Sequence, residues 1–93
     1  MRASEADIRN TMRVLSAWNP LGDRASEIED LDDYRTEAQD VLFHIDLGVS
    51  GKTPTELVQS VLNTAFDLSL TLEDCREVAS QICLRTGRSQ HMR

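Results

Sequence analysis

Carboxylates in this chain recur three residues apart, at Glu27…Asp30 and again at Glu37…Asp40. On a helix, positions i and i+3 share a face, so either pair could present two acids to a hard divalent cation such as magnesium. A second grouping, Glu37, Asp40 and His44, has ligand types suited to a transition metal. Di-iron bundles, however, need Glu-x-x-His on two helices, and the residue three before His44 is Val41. The other histidine, His91, stands in the C-terminal tail. Cys75 and Cys83 complete the reactive set. Eight residues along one helix separate them by about 12 Å, beyond the roughly 7 Å between Cα atoms that a disulfide tolerates. Without a CxxC or clustered histidines, zinc is not expected, and buried free thiols are. No metal site and no cofactor follow from these groupings.

A different stretch organises the chain. Trp18-Asn19-Pro20-Leu21-Gly22 holds the single Trp and one of two prolines. The proline ring pushes Asn19 out of the α region, so a helix arriving from the N-terminus stops at Trp18. Asn19, Pro20 and Gly22 then take the positions they favour in a type I turn. Trp18 carries an indole N–H that wants an acceptor. Glu37 is expected to be a structural latch, accepting hydrogen bonds from residues 18–22, with Tyr34 stacked on the loop.

The elements that must position these residues read as four helices. The first starts at a Ser4 cap, with Asp7 three residues on, and carries Ile8, Met12, Leu15 and Trp18 on one face. Residues 23–33 show no sustained period and predict an ordered loop, with one short helical turn around Ile28 and Leu31. The second helix is expected over 34–47, capped by Asp32 or Asp33 and closed by Gly48. Tyr34, Ala38, Val41, Leu42 and Ile45 form its core arc. Phe43 and Leu47 fall outside it and are expected either under the acidic loop or in a dimer contact. Thr53-Pro54-Thr55-Glu56 is a strong helix start, for a third helix over 54–67 that should be the most buried. Its apolar half comprises Leu57, Val58, Val61, Leu62, Ala65 and Phe66. Thr71 and Asp74 open a fourth helix over 72–86, closed by Gly87. The fold class predicted is all-α, an antiparallel four-helix bundle-like domain with a long acidic loop between the first two helices. It forms one domain over 1–88, followed by a frayed tail over 89–93.

Charge narrows the partners. The net charge of −6 over 93 residues is concentrated in 23–46, where nine acids face Arg24 and Arg35. The segments on either side carry +1 and zero by the same count. An acidic surface argues against nucleic acid, which demands cations opposite phosphates. It suits a basic protein partner. No run approaches the roughly 18 apolar residues of a membrane span, and no signal-peptide layout opens the chain. A cytoplasmic protein is expected. With only four aromatic residues, the core must rest on Leu, Val, Ile and Ala. So small a core makes homodimerisation a natural source of added burial.

In its Trp-Asn-Pro-Leu-Gly stretch, its Tyr34…Glu37 pair and its Glu73-Asp74-Cys75-Arg76…Ala79 run, the chain resembles the YugE-like family of small bacterial helical proteins. The resemblance spans roughly residues 8–84. It departs where the family's usual acid after Trp is Asn19. It implies an all-helical fold and no particular activity. Asp33-Tyr34…Glu37-Ala38 is also faintly similar to colicin immunity proteins, without their tyrosine-rich binding segment. The function expected is therefore a protein-interaction module, immunity- or antitoxin-like, binding a basic partner through Asp30, Asp32, Asp33, Phe43 and Leu47. The alternative is a magnesium-dependent, all-helical nucleotide pyrophosphohydrolase using the Glu-x-x-Asp pairs. That chemistry needs pairs on two facing helices. The two pairs here are too close in sequence, and no lysine cluster awaits a phosphate.

Overall fold

The computed structural model describes residues 3–28, 31–48 and 51–88. Ser4 accepts a hydrogen bond from the Asp7 N–H and opens α1 (Glu5–Trp18), which ends at Trp18 as the following Asn-Pro pair dictates. α2 (Arg35–Leu47) exits through Gly48 in the left-handed conformation. Thr53 and Glu56 form a complete capping box at the head of α3 (Pro54–Phe66), with Pro54 in the first turn. Thr71 and Asp74 do the same for α4 (Leu72–Thr86), which Gly87 closes. No strand occurs among the described residues.

The four helices form a ring. α1 packs on α2 and α4, α3 packs on the same two, and the diagonal pairs do not approach. Neighbours run in opposite directions. Ser16, late in α1, donates to the Asp33 carbonyl at the head of α2, whereas Asp7 and Asp46 share Arg88 at the other end. The centre holds Leu15, Val41, Leu42, Val58, Leu62, Cys75 and Ile82, all fully buried. Both thiols are buried and free, and burial pushes the Cys75 thiol up to about 11. Such thiols are inert at neutral pH.

α3 is the least exposed helix, as expected, with two exposed residues of thirteen against seven of fifteen in α4. Other expectations need correction. Ala65 is exposed because α3 faces only two neighbours in the ring. Thr11 is fully buried on α1, and its hydroxyl donates to the Asp7 carbonyl one turn back. That bond satisfies the polar atom and lets a threonine sit in the core. The tail over 89–93 lies outside the described residues.

The described part of the segment between α1 and α2 carries more helical structure than the one short turn expected there. One 3-10 helix spans Gly22–Glu27 and a shorter turn spans Asp32–Tyr34. Ile28 and Leu31 lie between these two elements, half-buried against the core, and the Leu31 N–H reaches the Ile28 carbonyl at 3.5 Å, closing the turn expected around them. Neither Asp32 nor Asp33 caps α2 through its side chain. Asp32, Asp33 and Tyr34 instead all have positive φ (47°, 54° and 67°), making a short left-handed turn. Each such residue costs about 1–2 kcal/mol relative to the right-handed form, and Asp tolerates it better than Tyr. Something must hold Tyr34 there.

Candidate functional site

What holds it is the loop after Trp18. The Tyr34 side chain is 2% exposed, and its hydroxyl donates to Asn19 Oδ1 at 2.7 Å and accepts from the buried Leu21 N–H at 3.3 Å. Its ring meets Phe66 of α3 edge-on, with centroids 6.0 Å apart. Asn19 itself is left-handed (φ 49°), and the Gly22 N–H closes the expected turn on its carbonyl at 3.0 Å. Pro20 and Gly22 (φ 60°) carry the chain around the corner. The Asn19 side-chain amide donates to the Gly22 carbonyl, so this one residue uses backbone and side chain to tie the loop. Burial raises the Tyr34 pKa, which keeps the hydroxyl protonated and able to donate.

Glu37 is not the latch. Oε1 is buried with no hydrogen-bond partner among the described residues, and the latch bonds run through Tyr34. The acid nonetheless does not face solvent, being only 8% exposed. Tyr34 reaches the loop because its phenol is longer and already lies on the core arc. Trp18 is half-buried at the end of α1, packed against the core.

The buried carboxylate has a consequence for stability. Desolvation raises the Glu37 pKa above the ordinary carboxylate value, a bond with its own backbone N–H offsets part of the rise, and the charge of Asp40 adds to it. The folded state therefore holds this proton more tightly than the unfolded chain does. The resulting stability is full below the unfolded pKa and is lost as pH rises through the raised folded value. Glu37→Met should thus stabilise the fold at neutral pH by about 1 kcal/mol or more, with a smaller gain near pH 4. Denaturant titration at the two pH values checks this. A loss of stability at neutral pH would mean that the carboxylate has a partner.

The sequence-predicted acids are not brought into one metal site. Asp40 and His44 are exposed while Glu37 is buried. Asp30 of the other pair lies outside the described residues. Among the described residues, no group of three His, Cys, Asp or Glu side chains could hold a metal ion. Asp32 and Asp33 are exposed at the head of α2. Phe43 (56% exposed) and Leu47 (46%) stand further along its outer side, in the open and not under the acidic segment. Phe43 and Asp40 border a groove of about 650 Å³ between α1 and α2, floored in part by Ile8. Across the groove, Arg35 and Glu5 form a two-pronged ion pair at 2.7 and 2.8 Å.

Opposite the tyrosine latch, a second tie was not foreseen. Arg88, one residue past Gly87, reaches Asp46 with two bonds of 2.7 Å and Asp7 with one of 3.0 Å. It joins the start of α1, the end of α2 and the end of α4, and these bonds raise its pKa further. The sequence signal was weak, an arginine placed two residues after a helix where cations suit the dipole.

Fold and site define a small ring-packed helical domain, latched at one end by a tyrosine and at the other by an arginine. The chain belongs to the DUF1871 family, a domain of unknown function whose model matches residues 10–89. No curated protein and no solved structure matches it. No described helix is long and apolar enough to cross a membrane.

Proposed function

We propose that this domain is an interaction module that grips a basic protein through the outer face of α2. The observation carrying this reading is the pairing of exposed Phe43 and Leu47 with exposed acids, Asp40 on the same helix and Asp32 and Asp33 at its head. An apolar centre with a polar rim is the usual anatomy of a binding patch, and the like charges of the rim steer an opposite partner. Immunity proteins and antitoxins bind basic targets in this manner. Closer kinship with the YugE-like proteins rests on the Trp18–Gly22 motif and adds no activity. The pyrophosphohydrolase alternative needs acid pairs gathered from two facing helices, and among the described residues no group of three His, Cys, Asp or Glu side chains could hold a metal ion.

The test is site-specific photo-cross-linking in the native host, with a cross-linker replacing Phe43. One product is expected, containing a basic protein, and it should vanish when Asp33 and Asp40 are changed to Lys. The same cross-linker at Leu84, 78% exposed on α4, should give no such product. Equal labelling at both positions, or a product indifferent to the acid substitutions, would overturn the reading.

A further inference from the structure

A second groove, of about 390 Å³, runs between α1 and α4. Its floor is apolar, formed by Val14, Ala17 and Val78, and half-buried Trp18 stands at one end. Its charges are sorted along its length. Asp74 and Glu77 lie toward the Trp18 end, because α1 and α4 run in opposite directions, and Arg13 and Arg85 lie toward the other. None of these four side chains forms an ion pair among the described residues. Glu77 and Arg85 are linked only through Gln81, by bonds of 3.0 and 3.5 Å.

We propose that this groove is the face on which a second copy of the chain docks. A line of charge that is negative at one end and positive at the other complements itself under a two-fold axis crossing it at right angles. Such an axis lays α1 on α1 and α4 on α4 in opposite directions. The Asp74–Glu77 end of each copy then meets the Arg85 end of the other. Trp and Arg, both of which line the groove, are common interface anchors. The groove is also charge-balanced, with two arginines against two acids, in a chain of net charge −6. Two copies meeting at the acidic face of α2 would bring like charges together. Meeting here, they do not. The self-association expected at Phe43 and Leu47 is thereby moved to α1 and α4, leaving the α2 face for a basic partner.

Sedimentation of the full chain tests the proposal. The wild type should be a dimer that weakens with salt. Glu77→Arg and Arg85→Glu, both at exposed positions, should each weaken it about tenfold or more by setting like charges opposite one another. An equimolar mixture of the two variants should recover the dimer, since each charge then meets its opposite. A wild type that stays monomeric at high concentration would overturn the proposal. So would a dimer broken by Phe43→Glu and untouched by the charge reversals. Thermal midpoints of the variants report whether each is folded, and cross-linking at Phe43 reads the other face independently.

Discussion

Replacing Tyr34 by phenylalanine is expected to lower stability by about 2–3 kcal/mol, far more than the removal of one oxygen from a surface would. The hydroxyl is shared by two partners, Asn19 Oδ1 and the Leu21 N–H, and both would lose it. Leu21 is 5% exposed, so water cannot easily replace the lost acceptor. The left-handed turn at 32–34 would also lose the tie that holds it. For a domain of this size the loss corresponds to a fall in melting temperature of roughly 10–20 °C. Calorimetry on Tyr34→Phe, Asn19→Ala and the double variant gives the coupling. If Tyr34→Phe costs less than about 0.5 kcal/mol, the hydroxyl is not what holds the loop.

Arg88→Ala should cost about 2–3 kcal/mol, between the small value of an exposed ion pair and the larger cost of breaking a buried one. The Arg88 side chain is 14% exposed, and its removal leaves Asp7 and Asp46 facing each other without a cation. Arg88→Lys should recover less than half, because an ammonium cannot make the two-pronged bond to Asp46 while also reaching Asp7. Denaturant melts at low and high salt check both variants. Equal stability of Arg88→Lys and the wild type would show that charge alone matters there.

Glu37 is the residue on which the two levels of description diverge most. Its sequence neighbourhood, three residues after Tyr34 and three before Asp40, suggested a latch or half of a cation site. The packing buries it and gives Oε1 no partner, while the neighbouring Tyr34 takes the latch role. Helical period locates a residue on an arc but does not say which of two adjacent polar groups reaches a loop thirteen or more residues away.

The helices themselves were legible from local chemistry. The Asn19-Pro20 stop, the Thr53/Glu56 and Thr71/Asp74 capping boxes and the Gly48 and Gly87 exits are short-range interactions within one turn, and each appears where its residues stand. The same period set Phe43 and Leu47 off the core arc, while only the packing decided that they stand in the open and not under the acidic segment. Tertiary structure alone decided the rest. The left-handed turn at 32–34 runs against local preference and stands beside contacts of Tyr34 to Asn19, Leu21 and Phe66. The Arg88 tie joins residues 42 and 81 positions away, a separation over which no sequence periodicity carries information. The order of helices around the ring does likewise, because it places α1 against α4 and so creates the charge-sorted groove between them.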